Sequence, residues 1–312
     1  MNGLELARKF YKECGEPMLK EKFPEIFPRL CIGLAGSGSE CFGFDDEHSR
    51  DHDFGPAFCI FVPDDIDRET LFSLERAYEK LPREFMGFHR DREVTESGRR
   101  GVIKTGDFFE SKTGSRDGAL SLYEWLSVPE YALAEAVNGE IFSDNSGDFG
   151  RIRDRLREYP EDIRLKKLAG NLLLMGQAGQ YNYNRCLSRG ETAAAQMAVF
   201  EFVKSALSAA FLLEKTYMPY YKWSFRALRE LSVFAVLAEP LEYLLSSKNE
   251  PDDAAKKSEI IEKICEKVAA EAERQGIVRT AVLDMERLAF AVNNAVSDAR
   301  LRNMHILCGI AV

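Results

Sequence analysis

The chain has few of the residues that build metal or disulfide sites. Its seven cysteines are scattered, none forms a Cys-x-x-Cys pair, and its four histidines do not cluster with them. A structural zinc site needs four such ligands at short spacings, so zinc is not expected. An odd number of separated cysteines, most of them in apolar surroundings, is typical of reduced thiols in a protein core.

Long apolar runs and an excess of positive charge are also missing. No apolar stretch reaches the roughly 18 residues of a membrane span, and residues Met1–Glu5 lack the basic and apolar parts of a signal sequence. We therefore expect a cytoplasmic protein with no membrane partner. The net charge of −9 disfavours nucleic acid as a partner, because neutralising phosphates needs a basic surface. It is compatible with a cationic small acceptor.

The pattern of apolar residues changes halfway along the chain. At 312 residues, the chain is long enough for two ordinary domains. Short apolar runs predict four strands before residue 148, and only helical periodicity follows. We therefore predict an α+β protein, with a small mixed sheet in a domain of residues 1–147 and an all-helical bundle in residues 148–312. The predicted strands are 29–34, 53–62, 101–104 and 140–142.

A small, polar and acidic connection joins the first two predicted strands. It begins with Gly36-Ser37-Gly38-Ser39 and ends with the carboxylate pair Asp51 and Asp53. Side chains alternate along an extended segment, so the two carboxylates would point the same way. Such a pair suits Mg²⁺, which takes one or two protein carboxylates and completes its shell with water and substrate phosphates. Glycines let backbone N–H groups approach an anion and serine hydroxyls add donors, so the turn predicts a phosphate site.

Each of these patterns is weak by itself. An Asp-x-Asp in an acidic protein is most often part of a solvated loop, and a Gly-Ser-Gly-Ser turn is most often only a turn. Cys41 lies in the same stretch. A nucleophilic cysteine needs a nearby base, and none can be placed, so we expect a small buried residue there.

The order and spacing of the stretch resemble the signature of the polymerase-beta-like nucleotidyltransferases. That signature is a strand, a Gly-Ser pair, a further Gly, and an Asp-x-Asp that opens the next strand. The matching residues are Gly36, Ser37, Gly43, Asp51 and Asp53. The resemblance implies an enzyme that uses Mg²⁺ to transfer a nucleoside monophosphate from a nucleoside triphosphate, with ATP the expected donor, to a hydroxyl of a small acceptor.

The resemblance also assigns roles to these residues. Asp51 and Asp53 would be the catalytic residues and the metal ligands, while Gly36, Ser37 and Ser39 would bind the β- and γ-phosphates. Proteins of this type usually carry a third carboxylate on the neighbouring strand, and the predicted strand 101–104 has none. The nearest candidates are Glu93, Asp107 and Glu110.

Without a third carboxylate, the base for the attacking hydroxyl is unassigned. This departure keeps two alternatives open. One is a degenerate nucleotide-binding or regulatory protein that lacks transfer chemistry. The other is an enzyme that transfers the nucleotide to a protein.

Two stretches of the predicted bundle do not have the pattern of a helical core. In the first, Tyr181, Asn184 and Arg185 are adjacent or one turn apart on a predicted helix of residues 163–189. These three residues would line an acceptor cleft, or they would end a polar helix in solvent. The second is Tyr217–Trp223, which is interrupted by a proline.

The segment Tyr217–Trp223 combines aromatic rings with a single lysine. Rings such as that of Tyr221 stack on a nucleobase or bind an acceptor, and Lys222 would meet a triphosphate. An aromatic plug between helices is the structural alternative. A helical bundle with such segments is similar to a bacterial family of nucleotidyltransferase-like proteins whose C-terminal domain has no known function. It is also similar in plan to aminoglycoside and lincosamide nucleotidyltransferases, which implies an acceptor site between the domains. The oligomeric state stays open.

Overall fold

The computed structural model of the chain describes residues 1–46, 54–90 and 99–310. It is an α+β protein, as predicted, with a four-stranded mixed sheet and a majority of helix. The chain divides into two compact units, residues 1–124 with 131–157 and residues 125–130 with 158–312. The sequence placed a boundary near residue 147. The helix that begins at Asp148 belongs to the first unit, because its Phe149 ring packs 4.3 Å from the Phe61 ring of the sheet.

The first unit begins with one long helical run and continues with strands and short helices. The run comprises α1 (Gly3–Phe10), a wider π-helical segment (Tyr11–Gly15) and α2 (Glu16–Lys22). The strands are β1 (Cys31–Leu34), β2 (Cys59–Val62), β3 (Glu84–Phe85), β4 (Phe88–His89), β5 (Gly101–Lys104) and β6 (Glu140–Asp144). The helices after α2 and up to residue 157 are α3 (Arg68–Glu79), α4 (Thr105–Thr113), α5 (Leu122–Ser127), α6 (Glu130–Val137) and α7 (Asp148–Leu156). Residues 125–127 of α5 and Glu130 of α6 belong to the second unit.

The main sheet has the order β5-β2-β1-β6, and all four strands lie where the apolar runs predicted strands. Strand β1 is antiparallel to β2 and β6, and β2 is parallel to β5. Cys59 pairs with Gly33 on one side and with Gly101 on the other. The C-terminal end of β1 therefore lies beside the N-terminal ends of β2 and β5, and the polar connection leaves and re-enters the sheet at one edge.

Helices cover both faces of the sheet, and the side chains of β2 alternate between these two faces. Ile60 and Val62 belong to the core formed with α1 and α3. Phe61 points to the other face, where its ring lies 5.1 Å from the ring of Phe108 on α4. Strand β2 is thus apolar on both faces and completely buried, which explains its continuous apolar sequence.

The second unit is helical throughout the residues that the structure describes. The predicted helix 163–189 is one continuous run of α8 (Glu161–Met175), a π-helical segment (Gly176–Tyr183) and α9 (Asn184–Ser188). The remaining helices are α10 (Thr192–Leu213), α11 (Tyr221–Leu228), α12 (Ala238–Ser246), α13 (Pro251–Arg274), α14 (Met285–Asn294) and α15 (Ala299–Asn303).

Helical spacing predicts that Met197, Phe200, Val203, Leu207 and Phe211 form one core-facing stripe on helix α10, and this prediction was partly wrong. Val203, Leu207 and Phe211 are buried as predicted, but Met197 and Phe200 are 75% and 61% exposed. The N-terminal half of α10 buries Ala195, Val199 and Phe202 instead, so its buried face there is rotated from the predicted stripe. Helix α10 is the one described helix that is long and apolar enough to span a membrane, and 67% of its apolar window is buried. This burial is consistent with a core helix of a soluble protein.

The second unit also buries a lysine that links α13 to α10 and to the loop between α12 and α13. Lys257 of α13 is fully buried, and its ammonium donates to oxygens of Gln196, Ser247 and Asn249 at 2.9 to 3.0 Å. All three N–H donors of the ammonium are therefore used. Burial lowers the pKa of Lys257, and the charge of Asp253 opposes this effect.

Candidate functional site

The predicted metal ligands Asp51 and Asp53 and the candidate carboxylate Glu93 lie outside the described residues. The described part of the site is the turn of residues 36–39, which we call the glycine turn. It follows β1 directly and lies at the sheet edge where β2 begins.

The glycine turn has a backbone that only glycine adopts without strain. The φ angles of Gly36 and Gly38 are +100° and +123°, in the region where a Cβ is disfavoured. A Cβ at Gly36 would lie 3.1 Å from the Phe108 ring, and one at Gly38 would lie 2.7 Å from the Glu40 carboxylate. Local geometry thus accounts for both glycines, and their lack of side chains leaves the backbone accessible.

The side chain of Asn138 fixes the start of this turn. Its Oδ1 accepts from Gly36 N at 2.8 Å and its Nδ2 donates to Gly36 O at 2.8 Å. Asn138 follows helix α6 directly, where the guanidinium of Arg153 donates to the carbonyl oxygens of Val137 and Asn138. Burial lowers the pKa of Arg153. The buried arginine satisfies the last carbonyls of α6 and thereby holds Asn138 against the turn.

The amide groups after Gly36 are available to a ligand. The backbone N–H groups of Ser37, Gly38 and Ser39 have no acceptor within residues 1–46, 54–90 and 99–310. Consecutive N–H groups in such a turn form a concavity that binds anions. The structure therefore brings together the three predicted phosphate-binding residues Gly36, Ser37 and Ser39, but the Gly36 amide is bound to Asn138, and of these three only the amides of Ser37 and Ser39 are unpaired among the described residues.

Two ion pairs flank the glycine turn, and sequence reasoning missed both. Lys112 of α4 binds Glu135 of α6 at 2.5 Å, and both also contact the Ser37 hydroxyl. Arg100, whose side chain is 4% exposed, binds Glu40 and lies 3.4 Å from Ser37 O. Arg100 lies 60 positions from Glu40 and 63 from Ser37, and Lys112 lies 75 positions from Ser37. No local spacing could have revealed them.

Cys41 has the structural role that was expected of it. Its side chain is buried, and its thiol donates to Ser37 O at 3.7 Å. Burial raises the pKa of Cys41 to about 12, against the opposing charge of Arg100. The thiol is therefore protonated at neutral pH and is not an activated nucleophile.

Neither described candidate for the third carboxylate lies at the glycine turn. Asp107 and Glu110 both bind Arg116, at 2.6 and 2.8 Å, and Asp64 joins the same cluster. Asp64 follows the C-terminal end of β2, whereas the glycine turn lies beside its N-terminal end. The carboxylates that contact residues of the turn are instead Glu40 and Glu135.

One buried carboxylate oxygen that follows the glycine turn is without a partner in the described chain. Among the described residues no group of three His, Cys, Asp or Glu side chains could hold a metal ion. Just before the undescribed residues 47–53, the buried Oδ1 of Asp45 has no partner in the described chain, while its Oδ2 accepts from Gly3 N at 2.8 Å. A buried carboxylate oxygen without a partner is costly, and a bound cation would relieve that cost.

The predicted acceptor residues of the second unit only partly come together. Tyr181 is 56% exposed, and the Arg185 guanidinium lies over its ring at 4.6 Å and donates to its hydroxyl at 2.6 Å. Asn184 accepts from Ser258 at 2.9 Å. Tyr181 lines a cleft of about 600 Å³, and Asn184 and Arg185 do not. The lining residues are Gly176, Gln177, Gln180, Tyr181, Asn182, Leu283, Asp284 and Glu286.

The π-helical segment builds one wall of this cleft. The Gln180 amide donates to Glu262 and to Leu283 O and accepts from Met285 N, all within 2.9 Å. Gln180 thus ties the segment to α13 and to the start of α14. Segments of π-helix are rare and frequently occur at functional sites.

The aromatic segment Tyr217–Trp223 is part plug and part surface. The Tyr217 ring is buried, 4.8 Å from the Tyr159 ring. Tyr221 begins α11 and is 73% exposed, and the Lys222 ammonium lies 5.3 Å from the Trp223 ring. The aromatic plug is therefore seen at Tyr217, and ligand binding by Tyr221 and Lys222 stays a prediction.

A buried acidic cluster lies beneath this segment. Burial raises the pKa of Glu130 to about 7, against the charge of Lys167 and a hydrogen bond from the Met218 amide. Within the described chain, Glu130 Oε2 and the Tyr159 hydroxyl are buried without a hydrogen-bond partner. Burial also raises the pKa of Tyr159. The acidic group of this cluster therefore titrates close to neutral pH.

Comparison with known proteins bears only on the middle of the chain. Residues 125–224 match the family described as a domain of unknown function (DUF4037). No curated protein and no solved structure matches the chain. The matched residues include Tyr181, Asn184, Arg185, Tyr221 and Lys222. The glycine turn and the Asp51–Asp53 pair lie outside the match.

Proposed function

We propose that the protein is a Mg²⁺-dependent nucleotidyltransferase that transfers a nucleoside monophosphate to a hydroxyl of a small acceptor. The observation that carries this proposal is the glycine turn. Two glycines with left-handed backbone and three amides unpaired within the described residues follow a central strand. They lie at the sheet edge from which the chain leads to Asp51 and Asp53.

Each residue of the proposed site has a separate task. The amides and hydroxyls of Ser37 and Ser39 bind the β- and γ-phosphates of the triphosphate, and Gly36, whose amide is bound to Asn138, provides the left-handed backbone at the start of the turn. Asp51 and Asp53 hold Mg²⁺, which when bound neutralises phosphate charge and polarises the reacting phosphorus. The protein's contribution is positioning and charge stabilisation.

The remaining predicted residues keep their roles in this proposal. Lys222 is proposed for the triphosphate, and Tyr181, Asn184, Arg185 and Tyr221 for the acceptor. Among these residues, Tyr181 is the best supported, because it lines a cleft together with several amide and carboxylate side chains. A hydroxylated acceptor finds many hydrogen-bond partners on such a surface.

One observation favours a second candidate, a nucleotide-binding protein without transfer chemistry. Asp107 and Glu110 are bound to Arg116 at the other end of β2, so among the described candidates none is placed to act as the third carboxylate. Binding of a triphosphate with no release of pyrophosphate would support this reading. A nucleotide label on a polypeptide would instead indicate transfer to a protein.

Thermal unfolding with each of the four nucleoside triphosphates, with and without Mg²⁺, tests the proposal. A ligand that binds only the folded chain raises the unfolding midpoint. We expect a Mg²⁺-dependent rise with one nucleotide, lost in the double variant Asp51→Asn/Asp53→Asn. Pyrophosphate release in the presence of that nucleotide would follow the same pattern. No rise with any nucleotide would contradict the proposed function.

A further inference from the structure

The side chains of Lys112 and Glu135 meet at the Ser37 hydroxyl of the glycine turn. The Lys112 ammonium donates to Ser37 Oγ at 2.8 Å and to Glu135 Oε2 at 2.5 Å. Ser37 Oγ in turn donates to Glu135 Oε2 at 2.7 Å. The side chains of Lys112 and Glu135 are 18% and 16% exposed. One carboxylate oxygen therefore accepts the hydrogen bonds that an anion bound at this turn would accept.

This arrangement conflicts with phosphate binding as long as the carboxylate stays in place. The Ser37 hydroxyl has a single proton, and Glu135 already accepts it. A phosphate that approached Ser37 would also meet the negative charge of Glu135 at short range, where water screens poorly. Both conflicts disappear when the Glu135 carboxylate moves away and the phosphate accepts the hydrogen bonds of Lys112 and Ser37 in its place.

Lys112 is better suited than Arg100 to exchange its anionic partner. Arg100 binds Glu40 and also donates to the carbonyl of Arg99 and to Cys41, with its side chain almost fully buried. Lys112 is more exposed, and of its three N–H donors two have an acceptor in the described chain. A flexible ammonium with a spare donor can move from a carboxylate to a phosphate and keep an anionic partner throughout.

We propose that Lys112 is the phosphate-binding cation of the glycine turn and that Glu135 is an internal competitor that holds it while no phosphate is bound. This inference rests on the proposed function, because it names a further cation, besides Lys222, for the same triphosphate. On binding, a phosphate oxygen replaces Glu135 Oε2 as the acceptor for Lys112 and Ser37. The Glu135 carboxylate then turns away. Its negative charge still lowers the affinity of the glycine turn for phosphate.

The two residues therefore affect binding with opposite signs. The test is the affinity of inorganic tripolyphosphate, measured by titration calorimetry in the presence of Mg²⁺. Glu135→Gln keeps an acceptor for Lys112 and Ser37 but removes the competing charge, so binding should tighten about tenfold. Lys112→Gln should weaken binding about tenfold or more, and Lys112→Arg should retain most of the affinity because it keeps the charge.

A charge-matched control lies on the same helix as Lys112. Glu110→Gln changes the net charge by the same amount as Glu135→Gln, but the Glu110 carboxylate binds Arg116. Its affinity for tripolyphosphate should stay within about twofold of the unmodified protein, since exposed and screened charges contribute little. Circular dichroism and the unfolding midpoint of each variant show that it is folded.

The outcomes separate this inference from the proposed function. Tighter binding by Glu135→Gln together with weaker binding by Lys112→Gln supports the inference. If both variants bind tripolyphosphate as the unmodified protein does, or if Glu135→Gln binds more weakly, the inference is wrong while the proposed function stands. If the unmodified protein binds no triphosphate with or without Mg²⁺, both are wrong.

Discussion

The buried carboxyl of Glu130 should make the stability of the second unit depend on pH. Its Oε2 has no hydrogen-bond partner in the described chain, and burial raises its pKa from 4.5 to about 7. The substitution Glu130→Gln removes the ionisable group and keeps both the size and an acceptor for the Met218 amide. Lys167 keeps its hydrogen bonds to the carbonyls of Leu126 and Gly309.

The sign follows from where the proton binds more tightly. The folded chain holds the Glu130 proton up to about pH 7, whereas the unfolded chain releases it near pH 4.5. The folded state therefore binds more protons between these values, and the free energy of unfolding falls as the pH rises through this interval. The difference corresponds to about 3 kcal/mol between pH 4 and pH 8 at 1.36 kcal/mol per pKa unit.

Urea unfolding at pH 5, 6, 7 and 8 measures this effect. The tryptophan fluorescence reports the second unit, because the Trp125 ring lies 5.8 Å from that of Tyr159. We expect Glu130→Gln to gain stability relative to the unmodified protein as the pH rises from 5 to 8. The exposed control Glu266→Gln should follow the unmodified protein at every pH. Parallel curves for Glu130→Gln and the unmodified protein would refute the reasoning.

Two further predictions concern the packing of the second unit. Lys257→Met removes the donor for three buried oxygens and should lower the free energy of unfolding by about 3 kcal/mol; the exposed Lys263→Met should change it by less than about 1 kcal/mol. Equal effects in urea unfolding would contradict the role of the buried ammonium. Gly179→Ala places a Cβ against the Phe202 ring and should lower stability by about 1 to 3 kcal/mol. Calorimetry would contradict this if Gly179→Ala melts like Asn182→Ala, a change at an exposed position of the same segment.

The elements of the fold were predictable because their signals are local. The four strands of the main sheet follow apolar runs, and the run from Glu161 to Ser188 follows helical periodicity. What periodicity could not predict is the wide π-helical segment at Gly176–Tyr183. That geometry allows Gly176 and Gly179 to pack closely against other helices, which depends on tertiary contacts rather than on local preference.

The candidate site, too, was predictable only where its signals are local. The glycine turn could be predicted because left-handed backbone angles require glycine at defined positions. Its supports could not be, since Lys112, Glu135 and Asn138 lie 75 to 102 positions from the turn residues that they contact. Asp51 and Asp53 stay predictions from the sequence alone.

Hydrogen exchange with and without Mg²⁺ and the nucleotide found by thermal unfolding tests the central claim most directly. The amides of Ser37, Gly38 and Ser39 have no acceptor in the described chain, so a bound triphosphate should slow their exchange markedly. We predict protection in peptides that cover residues 35–43, and loss of this protection in Asp51→Asn/Asp53→Asn. Nucleotide binding that leaves exchange in residues 35–43 unchanged would contradict the assignment of the glycine turn as the phosphate site.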